Sequence, residues 1–413
     1  MAQERWPEVR IGELGEVFTG RTPSSERPSY FGKEHPFITP GDMHQGKFAR
    51  VTDRSLSEEG AELLRRIRLP ASSVCVSCIG WQMGEVIMTD RPSFTNQQIN
   101  TIVPNTSVEP SFLYYSLRPR KQELLSLGAA TGVRTPILNK SAFCDLRVKL
   151  PALPIQRRIA GVLSAYDELI ENSQRRIRIL ESMAHALYRE WFVHFRFPGH
   201  EGLPRVASPL GDIPKGWEVR LVADTFEISG GGTPSRKEKR YWDGGKIQWF
   251  SPSDLTGAGT MFMDDSSDHI TELGMAESSA RLFPARSVML TSRATIGAIA
   301  INTHDACTNQ GFITCLPNER VPLYFLFHWL KENVPTFQRM ASGATFKEIS
   351  RGVFKTIEFL QPSAKLVRRF EDAAAPIAEQ ALTLQRQIQN LRRTRDLLLP
   401  RLLSGQVELN SAA

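Results

Sequence analysis

The sequence predicts an α+β fold in which two strand-rich globular domains, related by an internal repeat, are separated by two long helices that form an antiparallel coiled coil. Three observations predict it. The 413 residues exceed what one ordinary core accommodates. Short sequence words recur in the same order about 211 residues apart. Each copy of the repeat also ends in a long segment with the apolar periodicity of a coiled-coil helix.

The repeat is clearest in short polar and turn-forming words. Gly20-Arg21-Thr22-Pro23-Ser24 corresponds to Gly231-Gly232-Thr233-Pro234-Ser235, and Thr95-Asn96-Gln97 recurs as Thr308-Asn309-Gln310. The lone Cys75 and Cys78 pair corresponds to Met289 and Ser292, and the chain supplies no second pair nearby. Since a structural zinc site needs about four ligands, we expect no metal site.

The repeat divides the chain into five segments. We expect one strand-rich domain in residues 1–150, a long helix in 151–197, a linker in 198–213, a second strand-rich domain in 214–361, and a second long helix with a tail in 362–413. The domains are rich in glycine, proline and threonine between short apolar runs, which is typical of strands joined by turns.

The two helical segments carry apolar residues at alternating steps of about four and three, which is the spacing of a coiled-coil seam. Two isolated amphipathic helices would each leave an apolar stripe in water, so we favour an antiparallel pair that holds the domains at a fixed separation. The alternative is that each helix packs only on its own domain. The predicted seam consists of Ile159, Tyr166, Ile170, Ile177, Leu180, Leu187, Phe370, Ile377, Leu384, Ile388, Leu391 and Leu398.

Composition excludes some classes of protein and leaves others open. The net charge of +7 suits a nucleic-acid partner but also an ordinary basic protein. Five cysteines do not indicate a disulfide framework. No apolar stretch is long enough to span a membrane, and the N-terminus lacks the apolar core of a signal peptide, so we expect a cytoplasmic protein.

The motifs of several enzyme classes are missing. An adenine methyltransferase needs an Asn/Asp-Pro-Pro-aromatic loop, and no such tetrad occurs. The segment Gly41–Lys47 is similar to a phosphate-binding loop, but Phe48 occupies the place of the magnesium-binding hydroxyl. The histidines show no clustered ligand spacing. We therefore expect no catalytic residues, no metal and no cofactor on this chain.

The order of domain, long helix, domain, long helix resembles the specificity subunits of type I restriction–modification systems. The words that carry the resemblance are Pro214-Lys215-Gly216-Trp217-Glu218-Val219, Arg189-Glu190-Trp191-Phe192-Val193-His194-Phe195 and Leu398-Leu399-Pro400-Arg401-Leu402-Leu403-Ser404-Gly405. One departure is Pro362-Ser363-Ala364-Lys365, which lacks the glutamate–glutamine pair that is common at that helix start.

The resemblance implies that the two strand-rich domains are target-recognition domains for double-stranded DNA, and that the chain itself is not an enzyme. It implies two modification subunits, which use S-adenosylmethionine to methylate adenine at N6, and, in some systems, two restriction subunits that use ATP. The helices would dock these partners. The alternative is a non-catalytic scaffold whose two repeated domains bind proteins.

Polar residues differ between the copies while the turns and the apolar frame persist, which predicts a bipartite, asymmetric DNA site with one domain for each half-site. Arg, Lys, Asn, Gln, Ser and Thr are the residues that contact base edges and phosphates. Turn formation is the alternative role of the threonines, and capping of backbone groups is that of the asparagines. The predicted DNA contacts are Arg21, Thr22, Lys47, Arg50, Asn96, Gln97, Arg134, Thr233, Arg236, Lys237, Lys239, Arg240, Arg293, Asn309, Gln310 and Lys347.

Overall fold

The computed structural model describes residues 6–44, 46–130, 134–343 and 345–407. The chain forms two compact units. Unit 1 comprises Met1–Asn172 and Ile388–Ala413, and unit 2 comprises Ser173–Gln387. The division therefore falls within both long helices, whereas the predicted segments divided the chain at the helix ends.

Unit 1 contains strands that form small sheets and short helices that cover them. Its strands are β1 (Glu8–Arg10), β2 (Gly15–Thr19), β3 (Phe31–Gly32), β4 (His35–Ile38), β5 (Arg54–Leu56), β6 (Val74–Ser77), β7 (Val86–Met88), β8 (Phe94–Thr95), β9 (Ile99–Pro104) and β10 (Arg147–Lys149). Its short helices are α1 (Glu58–Leu63), α2 (Pro110–Leu117), α3 (Lys121–Ala129) and α4 (Lys140–Asp145). The first long helix, α5, spans Leu153–Tyr188.

Unit 2 has a similar order of elements, preceded by an additional hairpin. Its strands are β11 (Arg205–Ser208), β12 (Gly211–Pro214), β13 (Glu218–Leu221), β14 (Glu227–Gly230), β15 (Ile247–Phe250), β16 (Phe262–Met263), β17 (Asp268–Ile270), β18 (Val288–Thr291), β19 (Ile299–Asn302), β20 (Ala306–Thr308), β21 (Phe312–Leu316) and β22 (Glu358–Gln361). Its short helices are α6 (Pro252–Ala258), α7 (Glu272–Ala276), α8 (Leu323–Met340) and α9 (Arg351–Lys355). The second long helix, α10, spans Ala364–Leu403.

The main sheets of the two units share four strands in the same order, and unit 2 adds β16 at one edge. The main sheet has the order β2-β9-β6-β7 in unit 1 and β14-β21-β18-β19-β16 in unit 2. A two-stranded antiparallel ribbon closes each repeat, β1 with β10 in unit 1 and β13 with β22 in unit 2. The internal repeat of the sequence is thus a repeat of topology, and the predicted α+β class is confirmed. The β11–β12 hairpin lies in the predicted linker except for its last residue, Pro214, which pairs with Arg205.

In unit 1, the first part of α5 packs antiparallel against the last part of α10. Ile159 and Leu163 share one apolar cluster with Leu399 and Leu402. Phe112 of α2 belongs to the same cluster, so this part of the helix pair also closes the core of the domain. The two packing modes that the sequence left open therefore occur together.

The same arrangement occurs in unit 2, where the end of α5 meets the start of α10. The rings of Tyr188 and Phe370 lie 5.8 Å apart, and Phe192 lies 5.2 Å from Phe370. Phe325 of α8 lies 4.8 Å from Phe192, which joins this part of the pair to the domain core. All predicted seam residues are buried or half-buried. Apolar burial of this extent is the main stabilising contribution to such a helix pair.

Candidate nucleic-acid interface

The loops that follow β2 and β14 lie directly against a second loop in each unit. A Cβ atom on Gly20 would lie 2.1 Å from the backbone oxygen of Asn96, and one on Gly231 would lie 2.0 Å from that of Asn309. No side chain fits at such a distance, so glycine is required for this close approach. In each unit the repeated glycine therefore allows two polar loops to lie side by side.

A threonine and a glutamine join these two loops in both units. The hydroxyl of Thr22 donates a hydrogen bond of 2.6 Å to Oε1 of Gln97, and Thr233 donates one of 2.6 Å to Oε1 of Gln310. Both glutamines are exposed. Each glutamine carboxamide is thus held at the surface by its threonine. A carboxamide is the side-chain group that can bind an adenine edge through two hydrogen bonds.

Asn96 and Asn309 shape the same loops from inside. The Oδ1 atom of Asn96 accepts a hydrogen bond of 3.1 Å from the backbone N–H of Gln98, and Asn309 accepts one of 2.8 Å from Gly311. Such side-chain bonds to the backbone two residues ahead fix tight turns. Of the two roles left open for the asparagines, the structure therefore supports backbone capping.

A third and a fourth loop adjoin the first two. The backbone N–H of Cys78 donates to the oxygen of Gln98 at 2.7 Å, and Ser292 donates to Gly311 at 2.8 Å. Isolated bridges then join Ile79 to Ile137 in unit 1 and Arg293 to Glu348 in unit 2. We define loop cluster 1 as residues 20–23, 78–84, 96–98 and 134–138, and loop cluster 2 as residues 231–236, 292–297, 309–311 and 345–349.

Several of the predicted cations lie in or beside these clusters. Arg21 and Arg134 are exposed in loop cluster 1, and Lys347 is exposed in loop cluster 2. The side chain of Arg293 is 48% exposed and its Nε lies 3.6 Å from a carboxylate oxygen of Glu348. Ion pairs of this exposure are weak, so Arg293 can exchange its partner for a phosphate or a base at little cost.

The basic segment after Ser235 is partly neutralised within unit 2. Arg236 lies 3.6 Å above the ring of Trp242 and donates a hydrogen bond of 2.5 Å to Asp268. Arg240 lies 3.4 Å from Glu238. Lys237 and Lys239 are exposed. The lysines are therefore the freer cations of this segment.

Lys47 and Arg50 are engaged with α5 instead of the loop cluster. The ammonium of Lys47 donates hydrogen bonds of 2.9 Å to Ser111 and 2.8 Å to Ser164, and burial lowers its pKa below the ordinary value. Arg50 forms an ion pair with Glu171 of α5. The prediction that Lys47 contacts DNA is at odds with this geometry, because the hydroxyls of two helices hold its ammonium inside the unit. A tertiary contact of this kind leaves no mark in the local sequence.

Two exposed aromatic residues of the clusters are not among the DNA contacts predicted from the sequence. Trp81 is 68% exposed in loop cluster 1 and Phe346 is 58% exposed in loop cluster 2. The available signal was a bulky aromatic inside a short glycine-flanked loop, as in Gly80-Trp81-Gln82-Met83-Gly84.

The structure offers no sign of a metal or a membrane segment in the residues that it describes. Within those residues, no group of three or more His, Cys, Asp or Glu side chains is placed to hold a metal ion. No described helix combines the length and the apolar composition that crossing a membrane requires.

Comparison with known proteins agrees with this architecture. The family model for the type I restriction modification DNA specificity domain matches residues 3–182 and 214–365, one match for each copy of the repeat. The type I restriction enzyme MjaIX specificity subunit of Methanocaldococcus jannaschii is 25% identical over 98% of this chain and 94% of its own length. The HindI specificity subunit of Haemophilus influenzae is 36% identical over 43% of this chain and 39% of its own length.

A solved structure shares the fold. The crystal structure of a type I restriction–modification system S subunit from M. genitalium covers 96% of both chains with a TM-score of 0.61 and 16% sequence identity. The resemblance inferred from the sequence words is confirmed by the family match, which includes both strand-rich domains. The chain belongs to the type I restriction modification DNA specificity domain family.

Proposed function

We propose that this chain is the non-catalytic DNA recognition subunit of a type I restriction–modification complex, and that each unit reads one half of a bipartite, asymmetric site. The observation that carries the proposal is the matched pair of loop clusters. Both are built on the same glycine contact and the same threonine–glutamine hydrogen bond, while the exposed residues around that frame differ.

The chemistry of each cluster suits duplex DNA. Gln97 and Gln310 present carboxamides that can pair with an adenine edge, and Arg293 can pair with guanine. Exposed Arg21, Arg134 and Lys347 can contact phosphates, which position the domain without reading sequence. Since Arg293 corresponds to Ile79, and Lys347 to Pro136, the two units present different surfaces to the two half-sites.

The catalytic work belongs to partner subunits in this proposal. Two modification subunits bind S-adenosylmethionine and methylate adenine, and in systems that also cut DNA two restriction subunits use ATP. This chain binds neither cofactor and docks its partners through α5 and α10. The complex acts on cellular DNA in the cytoplasm.

The experiment that tests the proposal is co-purification of the full chain with its modification subunit, followed by DNA binding at several salt concentrations. We expect a complex that prefers one DNA sequence by about 10³-fold or more over random duplex. The scaffold alternative predicts neither a methyltransferase partner nor sequence preference. A complex that binds all duplexes equally would contradict the proposal.

A further inference from the structure

Exposure of aromatic side chains is confined to one place in each unit. The chain has 7 Trp, 7 Tyr and 22 Phe, and in the part that the structure describes only Trp81 and Phe346 are exposed. Trp81 belongs to loop cluster 1 and Phe346 to loop cluster 2. Every other aromatic residue in the described ranges is buried or half-buried.

The loop that carries Trp81 is fixed on both sides. The N–H of Met83 donates to the oxygen of Gly80 at 3.1 Å and closes a turn with Trp81 at its corner, while the side chain of Met83 is fully buried. Gly84 has a φ of +92°, and a Cβ there would lie 2.9 Å from the Cα of Lys121. The exposed indole thus belongs to a turn that its neighbours hold in place.

Backbone hydrogen bonds also fix the residues next to Phe346. Ser342 and Glu348 exchange backbone hydrogen bonds of 3.0 and 2.8 Å. Glu348 also forms the bridge to Arg293. Phe346 therefore belongs to the same loop cluster as two exposed cations, Arg293 and Lys347.

In each unit a bridge joins two loops, residues 78–84 to 134–138 in unit 1 and residues 292–297 to 345–349 in unit 2. Trp81 lies in the first loop of its pair, whereas Phe346 lies in the second loop of its pair. The bridge between Ile79 and Ile137 in unit 1 corresponds to the bridge between Arg293 and Glu348 in unit 2. By this correspondence, Thr295 replaces Trp81 in unit 2 and Thr135 replaces Phe346 in unit 1. Each unit thus has one aromatic residue in its pair of bridged loops, in the first loop in unit 1 and in the second loop in unit 2.

We propose that Trp81 and Phe346 are wedges that insert into the base stack of the DNA, one in each half-site, and partly unstack one base step there. This inference rests on the proposed function. An aromatic side chain loses its unfavourable exposure when it packs on base faces. Wedge residues in other DNA-binding proteins unstack and kink the duplex in the same manner.

The surroundings favour DNA bases over a protein surface as the partner. Each cluster carries exposed cations that suit the phosphates flanking a base step. Arg293 and Lys347 are in the cluster of Phe346, and Arg134 is in the loop that is bridged to the loop of Trp81. The hydrogen-bonded Thr22 and Gln97 lie in the same cluster as Trp81. A protein partner would meet this apolar residue within a ring of polar groups and cations, which is poor complementarity for an interface core.

The test uses the full chain in its complex with modification subunits, bound to the DNA site found by methylation mapping. 2-Aminopurine is placed at each position in turn, except at the methylated adenines, and its fluorescence reports unstacking. We expect one unstacked step in each half-site. Trp81→Ala should remove the signal from one half-site and Phe346→Ala from the other, while Trp81→Phe should retain it.

Affinity supplies the second readout. Each alanine variant should bind about 5-fold to about 150-fold more weakly, which is the range for loss of one base–aromatic stack. The dependence of affinity on salt should not change, because no phosphate contact is removed. Leu63→Ala and Leu282→Ala are the controls, since these residues are 51% and 46% exposed outside the clusters, and they should bind as the unaltered chain does.

The outcomes separate this inference from the proposed function. If the unaltered complex shows no sequence preference, both are overturned. The unaltered complex could instead bind its site selectively while both alanine variants show the same affinity and the same fluorescence as that complex. This result would overturn the wedge role of Trp81 and Phe346 but not the proposed function. Loss of modification subunits from a folded Trp81→Ala or Phe346→Ala complex would assign the aromatics to a protein interface and would equally overturn the wedges.

Discussion

Arg395 is a charged residue at the spacing of the apolar seam of α10, four residues after Leu391 and three before Leu398. It is 7% exposed, and its guanidinium donates a hydrogen bond of 2.5 Å to Asp167 of α5. The hydroxyl of Tyr115 donates to the other oxygen of Asp167 at 2.6 Å. A charge inside a helix pair is tolerated when it is paired in this way, and here the pair joins α5 to α10 within unit 1.

Removing Asp167 should therefore destabilise unit 1 strongly. Asp167→Ala leaves the Arg395 charge buried without its main partner, and we expect a loss of about 3–5 kcal/mol in the free energy of unfolding. Asp396 also binds Arg395 but its side chain is 61% exposed, so Asp396→Ala should cost less than about 1 kcal/mol. Urea unfolding of both variants measures the difference. Equal losses would show that the buried pair is not special.

We expect His328 to make unit 2 sensitive to acid. Burial, with repulsion from His185 and Lys331, lowers the pKa of His328 to about 3 from an ordinary value of 6.5. Both ring nitrogens lack a hydrogen-bond partner among the described residues. The ring of His185 lies 5.7 Å away and that of Tyr188 5.9 Å away.

The sign of the effect follows from proton binding. Between about pH 6.5 and about pH 3 the unfolded chain binds a proton at His328 that the folded chain does not, so stability falls as the pH falls through this range, by at most about 1.4 kcal/mol per pH unit. His328→Leu should reduce this dependence. Thermal unfolding from pH 7 to pH 4 tests it, and an unaltered slope in the variant would exclude His328 as the source.

At the scale of the elements, α5 offers a matched pair of isoleucines two residues apart. Ile177 is 9% exposed on the seam, whereas Ile179 is 52% exposed on another face of the same helix. We expect Ile177→Ala to cost about 2–4 kcal/mol through lost apolar burial and the cavity left behind. Ile179→Ala should change stability by about 0.5 kcal/mol or less. Similar losses at both positions would contradict the seam.

The loop after β2 depends on one glycine contact. Gly20→Ala would drive a methyl group into the backbone of Asn96 and separate Thr22 from Gln97. We expect at least about a tenfold loss of affinity for the cognate site, since one well-placed base contact contributes about 1–3 kcal/mol. Gly41→Ala is the control, because a Cβ there meets only the Thr39 hydroxyl at 3.7 Å. Binding by Gly20→Ala equal to that of Gly41→Ala would rule out the role of this contact.

Periodic and repeated features were predictable from the sequence. The seam residues follow from apolar spacing, and the strand-rich domains follow from the recurring words around Thr22 and Thr233. Features that depend on tertiary neighbours were not predictable. The attachment of Lys47 to Ser164 joins residues 117 positions apart. The exposure of Trp81 could not be predicted either. An apolar residue in a glycine-flanked loop can be buried or exposed, and Met83 of the same loop is buried.

At the scale of the whole molecule, the chain presents two loop clusters that share one frame and differ in their exposed residues. In the proposed function, the shared frame accounts for two domains that bind the same kind of molecule, and the differing residues predict two half-sites of different sequence. Gln97 and Gln310 occupy the same place in the two clusters, so they provide a matched pair of changes that differ only in the unit they affect.

The most direct test is to map N6-methyladenine across a genome that expresses this chain with its modification subunit, for the unaltered chain and for Gln97→Ala and Gln310→Ala. We predict a split, asymmetric methylated sequence in which Gln97→Ala relaxes the bases of one half only and Gln310→Ala relaxes those of the other half only. A continuous site, or relaxation of the same half by both variants, would contradict the account.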